Sequence, residues 1–181
     1  PRACIVGEPT EMRVAVGHKG KQGLRAICHG EAGHSALAPR FTNALHLAAE
    51  LVTGLRGLQD DLARNGARDA DYAVPYSTVH AGVLKGGTVL NIVPDRAELL
   101  FEFRHLAADA PADLMARIRA LTSEIAARHG TAIDLQEVTG YPGLDTAPDA
   151  GVTRLVQRLA RNQDLTKVAF GTEAGLFQSL G

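Results

Sequence analysis

The chain has 181 residues, 45% of them apolar and 22% charged, and its nineteen basic and twenty acidic side chains nearly cancel. This is the profile of a packed globular chain with room for one domain and a piece of another, not of a disordered one. With aromatics at only 4% and no lysine/arginine-rich cluster, a nucleic-acid partner is disfavoured, and no apolar run reaches the ~18 residues of a membrane span.

In chain order, the first apolar run is in ACIVGEPT. Residues 3–6 predict a short strand that stops at Gly7 and presents Glu8 before Pro9 closes the way, within a β-like segment over 1–16. Cys4 and Cys28 form no close-spaced motif, and both read as small buried hydrophobes of a reducing, cytoplasmic compartment. Residues 21–30 alternate, with Leu24, Ala26 and Cys28 on one face and Arg25 and His29 on the other, which predicts a half-buried strand. GEAGHSALAPRFTNAL follows as a Gly-, Ser- and Pro-rich loop. A helix is predicted from a cap at Thr42 or Asn43, with the stripe Leu47, Leu51, Leu55, Leu58 and Leu62 and a stop at Asn65-Gly66.

A second strand is expected over about 76–84, and KGGT turns the chain. In RAELLFEFRHL, Ala97, Leu99, Phe101 and Phe103 share one face while Glu98, Glu102 and Arg104 share the other. The next helix has Asp109 near its N-cap, Pro111 in its first turn, the stripe Leu114, Ile118, Leu121 and Ile125, and Gly130 as C-cap. AIDLQEV reads as a last strand. The order strand, helix, strand, strand, helix, strand, with one apolar face each, predicts an α+β, ferredoxin-like two-layer sandwich over about 20–138: a four-stranded antiparallel sheet with both helices on one side. Beyond it, 149–162 is an amphipathic helix (Val152, Leu155, Val156, Leu159), followed by a strand at KVAF and the start of a helix at EAGLFQSLG. The flanks fit neither layer. They read as pieces of an interrupted α/β domain, and the chain as part of a longer protein.

Four motifs carry a resemblance: VGEPT at 6–10, GHSALAP at 33–39, GGTVLNIVPDRAELLFEFR at 86–104 and FGTEAGLFQ at 170–178. In this order they resemble the aminoacylase, acetylornithine deacetylase and carboxypeptidase family of di-zinc hydrolases. The resemblance implies a catalytic domain interrupted by a ferredoxin-like lid that dimerises. The expected division is 1–18 and 141–181 as catalytic-domain pieces, with 19–140 as lid. The TEAG form with Glu173 looks most like the acetylornithine deacetylase branch. It implies hydrolysis of an N-acyl amino acid, N2-acetyl-L-ornithine first, in arginine biosynthesis, with two zincs per subunit or cobalt in their place.

The resemblance also implies roles, and each has an ordinary reading beside it. Glu8 would ligate one metal, or be an exposed turn glutamate. His34 would reach the partner subunit's active site and steady the oxyanion, or be a surface histidine. Asn91 and Arg104 would bind the substrate's carboxylate or reacting carbonyl, or be a turn asparagine and a solvated arginine. Glu173 would read the cationic side chain or amide of the substrate, or be a first-turn helix glutamate after the cap Thr172. The family's remaining ligands, a His-x-Asp pair, a bridging Asp, a Glu-Glu pair and a final His, have no match here. The stretch is therefore expected to hold no metal and show no activity by itself. The alternative is a non-catalytic ferredoxin-like module that dimerises or binds an effector.

Overall fold

The computed structural model describes residues 3–180; Pro1, Arg2 and Gly181, at the outer ends of the two expected flanks, lie outside the described residues. The elements run β1 (Val14–His18), β2 (Gly20–His29), β3 (Gly33–His34), a 3₁₀ helix (Ser35–Arg40), α1 (Ala44–Asn65), β4 (Thr78–Gly86), β5 (Ile92–Val93) and β6 (Arg96–His105). Then come α2 (Pro111–His129), β7 (Ile133–Tyr141), β8 (Leu144–Asp145), α3 (Gly151–Ala160), β9 (Leu165–Val168) and α4 (Ala174–Ser179).

The predicted sandwich is present. Its four-stranded sheet has the order β4-β6-β2-β7 with every neighbour antiparallel. β2 and β6 pair without interruption from Gly20↔His105 to His29↔Arg96. Alternation then decides the faces. Leu24, Ala26 and Cys28 of β2 and Ala97, Leu99, Phe101 and Phe103 of β6 point into one core with the leucine stripe of α1 and Leu114, Ile118 and Ile125 of α2. Each buried Leu, Ile or Phe among them contributes about 1.5–3 kcal/mol by leaving water. The helices lie side by side on that face, tied across their tops by His129 to Glu50 at 2.7 Å and Arg117 to Asp61 at 2.5 Å. Asn43 caps α1, its side chain accepting from Leu45 N–H at 2.9 Å. Gly130 ends α2 in the left-handed region, φ 62°, which glycine adopts without penalty.

The flanks meet in a separate three-stranded sheet, β8-β1-β9, with β9 parallel and β8 antiparallel to β1. Lys19 alone separates β1 from β2, and Pro142-Gly143 separate β7 from β8. Lys19 is buried, and its ammonium donates to the carbonyls of Val74 at 2.8 Å and Tyr76 at 2.5 Å. Lys167 of β9 donates to Asp69 at 2.7 Å. Both lysines thereby tie the connection between α1 and β4 to the smaller sheet.

Several expectations need correction. Residues 3–6 form no strand: the first one starts at Val14, because an apolar run becomes a strand only where a neighbour takes up its backbone groups, and none of the described strands pairs with it. Cys4 is accordingly exposed, and only Cys28 is buried. The loop after β2 contains a two-residue strand and a 3₁₀ helix holding Pro39. Asp109 does lie beside the cap of α2, as expected; the cap itself is Ala110, and the Asp109 carboxylate accepts from the Ser77 hydroxyl at 2.5 Å. β4 and β9 are shifted by two residues or more from the expected spans. The stripe of α3 is only part covered, with Leu155 38% and Leu159 66% exposed.

Candidate functional site

Four of the five sequence-predicted residues fall at two separate places. His34 and Asn91 sit together at one end of the sandwich, where β3 and β5 form a two-residue ribbon, Gly33↔Val93 and His34↔Ile92. Ser35 N–H donates to the Asn91 carbonyl at 3.0 Å, closing the ribbon. His34 is exposed and caps the 3₁₀ helix, its Nδ1 accepting from Ala36 N–H at 3.2 Å. An accepting Nδ1 places the proton of the neutral ring on Nε2, which makes that nitrogen a donor. The Asn91 side chain is exposed beside apolar neighbours, Val89 at 57%, Leu90 at 100% and Ile92 at 37%.

Arg104 and Glu173 lie at the other end. Arg104, near the C-terminus of β6, donates from Nε to Glu102 at 2.9 Å and from one Nη to the Tyr141 hydroxyl at 3.0 Å and the Ala169 carbonyl at 3.4 Å. Burial pushes the Glu102 carboxyl up, but the bonds from Lys21 and Arg104 outweigh it and hold the group below its ordinary range. Glu173 is exposed and is itself the N-cap of α4, the place expected of Thr172; the Thr172 hydroxyl, one residue earlier, accepts from Ala174 N–H at 3.0 Å. The Thr172 N–H donates in turn to Nε2 of His18 at 3.4 Å. His18 is buried; its burial pulls the imidazole below its ordinary pKa, opposed by the bond from Nδ1 to the Lys19 carbonyl. Neither His18 nor Tyr141 was singled out by the sequence, in which each is an isolated side chain.

The two places are far apart. Gly30 N–H, at the end of β2, bonds the Asp95 carbonyl at 2.7 Å and so anchors the His34 ribbon beside Arg96. Eight steps of β6 separate Arg96 from Arg104, about 26 Å at about 3.3 Å per residue. Glu8 joins neither place: it is exposed in the loop before β1, its carbonyl accepting from Thr10 N–H at 2.8 Å. No group of three or more His, Cys, Asp or Glu able to hold a metal occurs among the described residues. One carboxylate in an exposed loop does not fit a metal pair by itself. No described helix is long and apolar enough to cross a membrane.

Comparison with known proteins places this arrangement. Over 181 residues the chain is 32% identical to an acetylornithine deacetylase of Pasteurella multocida, covering 99% of this chain and 47% of that protein. It is 29% identical over 182 residues to an acetylornithine deacetylase of Myxococcus xanthus, with the same coverage. The chain thus spans about half the length of the curated relatives it matches. Among solved structures it resembles an aminopeptidase from Bacillus cereus, with a TM-score of 0.73 and 22% identity over 93% of this chain and 43% of that one. A tripeptidase from Staphylococcus aureus gives a TM-score of 0.72 at 19% identity, over 94% and 43%; at these identities the likeness is one of fold. Residues 16–130, from β1 through α2, match the peptidase dimerisation domain of the M20 type. On that match the chain belongs to the M20 peptidase dimerisation domain family.

Proposed function

We propose that residues 19–140 form the lid of a metal-dependent amidohydrolase, with 1–18 and 141–181 parts of its catalytic domain. The whole protein works as a cytoplasmic homodimer that hydrolyses an N-acyl amino acid, N2-acetyl-L-ornithine to L-ornithine and acetate, in arginine biosynthesis. The named relatives and the four motifs support this reading, and one observation carries it: His34 and Asn91 stand about 26 Å along the sheet from Arg104. Residues that must meet one small substrate cannot do so within one copy of the lid. Two copies related by a two-fold axis can bring the His34 ribbon of one to the Arg104 end of the other.

In this reading the Arg104 guanidinium pairs with the substrate's carboxylate, a planar fork matched to a planar anion. Glu173, on the turn bonded to His18, meets the ornithine ammonium. When water adds to the amide carbonyl, the oxygen gains charge, and His34 of the partner subunit donates Nε2–H to it with the Asn91 amide beside it. A donor so placed lowers the barrier by about 3–4 kcal/mol. The zinc pair, or cobalt, implied by the resemblance would take Glu8 as one ligand. The described residues of this chain do not complete such a centre.

The test uses the full-length protein purified with zinc or cobalt, with ornithine release followed by chromatography. Wild type releases ornithine. Glu8→Ala lowers metal content and abolishes turnover, whereas His34→Ala keeps its metal and loses roughly two to three orders of magnitude in kcat. A full-length protein that dimerises but releases no amine from any N-acyl amino acid refutes the reading in favour of a non-catalytic module.

A further inference from the structure

Between the Arg104 end of the large sheet and the 169–173 turn, one aromatic side chain touches both. Tyr141, the last residue of β7, accepts at its hydroxyl from an Nη of Arg104 at 3.0 Å. Its ring occupies the space a side chain would fill at Gly171: a Cβ built there would fall 1.9 Å from Cε2, 2.3 Å from Cζ and 2.5 Å from the hydroxyl oxygen. Only a glycine admits the ring at this distance. His18 forms an edge-type pair with the ring, centroids 6.2 Å apart and planes at 76°. His18 is itself fastened at both nitrogens, Nδ1–H to the Lys19 carbonyl at 3.0 Å and Nε2 from the Thr172 N–H at 3.4 Å. The ring is therefore bounded by Gly171 and His18, and among the described residues its hydroxyl bonds Arg104.

We propose that Tyr141, braced by His18 and seated on Gly171, is a positioning residue that fixes the Arg104 guanidinium relative to the turn carrying Glu173. Its place in turnover rests on the reading of Arg104 as the group that binds the substrate's carboxylate. Glu102 holds Arg104 through Nε at 2.9 Å, a single bond about which the planar group as a whole can still pivot and its two Nη can still exchange. The Tyr141 hydroxyl and the Ala169 carbonyl, both accepting from the same Nη, stop that pivot, slow the exchange and so aim the plane of the fork. A guanidinium binds a carboxylate with two parallel bonds only when its plane is aimed, so Tyr141 acts on substrate affinity and leaves the bond-breaking step alone.

The test is Tyr141→Phe in the full-length protein, which deletes one oxygen and keeps the ring on Gly171 and His18. KM for N2-acetyl-L-ornithine should rise about five- to twentyfold with kcat within twofold of wild type. Arg104→Ala should raise KM further, and Tyr141→Phe should add nothing in that background. The inference is overturned if Tyr141→Phe leaves KM unchanged, lowers kcat in place of raising KM, or raises KM equally with Arg104 absent. A second readout needs no turnover. With arginine-labelled full-length protein, NMR should show separate Nη signals for Arg104 in wild type, from hindered Nε–Cζ rotation, and one averaged set in Tyr141→Phe. Nη signals that match in the two proteins overturn the positioning role. Changed signals beside an Arg104→Ala protein of wild-type KM instead refute the substrate-binding reading of Arg104.

Discussion

Gly171→Ala is the sharpest test of the joint between the two sheets, because its size can be worked from distances. The added methyl would lie 1.9 Å from Cε2 of Tyr141, where ordinary contact begins near 3.4 Å, so ring and turn must part by about 1.5 Å. A shift of that size lengthens the 3.0 Å bond from Arg104 beyond hydrogen-bonding range. Forced repacking costs about 1–3 kcal/mol, and a lost bond to a charged donor up to about 1.5–3 kcal/mol. Arg104 is part exposed and water can replace the phenol, so the lower ends apply and the sum is about 2–3 kcal/mol. Chemical denaturation of the full-length protein reads this, compared with Gly171→Ala in a Tyr141→Ala background. The cost should nearly vanish once the ring is gone. Equal cost in both backgrounds, or none in the first, would refute the reasoning.

Three further outcomes follow from the same structure. With the folded pKa of His18 below its ordinary 6.5, the unfolded chain takes up the proton first as pH falls. The stability His18 contributes is therefore complete above about pH 6.5 and is lost below it, until the folded ring also protonates; the denaturation midpoint should fall more steeply from pH 7 to 5 in wild type than in His18→Asn, and parallel curves would contradict this. In native protein a thiol reagent should label Cys4, which is exposed, and spare Cys28, which is buried with its thiol pushed up to about 11; peptide mapping that finds Cys28 labelled without denaturant would contradict the burial. Sedimentation of the full-length protein at tens of micromolar should give a dimer, and a monomer alone would count against the lid pairing.

The sandwich was legible because its signals are local. Period-two alternation in β2 and β6 and the leucine stripe of α1 each identify a face without knowledge of the partner. The correct layer count follows, since every element has one apolar face to hide. The first apolar run failed for the complementary reason: residues 3–6 have strand composition, but a strand also needs a neighbour, which composition does not reveal. The 3₁₀ helix hid among Gly, Ser and Pro residues that signal a loop equally well. The motifs drew attention to His34, Asn91, Arg104 and Glu173 singly, yet their division between two ends of the sheet comes only from strand register. His18 and Tyr141 carried no signal at all: the bond from Thr172 to His18 spans 154 residues. Such joints arise from tertiary approach, with a glycine at the contact as their trace in the sequence.

The most direct measurement is complementation in mixed dimers of the full-length protein. One subunit carries His34→Ala, the other Glu8→Ala, and neither homodimer should keep more than about a hundredth of the wild-type rate. If His34 serves the partner's site, both defects fall on one site of the mixed dimer, and the other site keeps its own Glu8 and the partner's intact His34. Purified mixed dimers should then hydrolyse N2-acetyl-L-ornithine at about half the wild-type rate, the share of one intact site in a two-site dimer. Mixed dimers as inactive as either parent would show that His34 acts within its own subunit or not at all, against the separation of the two clusters on which the account rests.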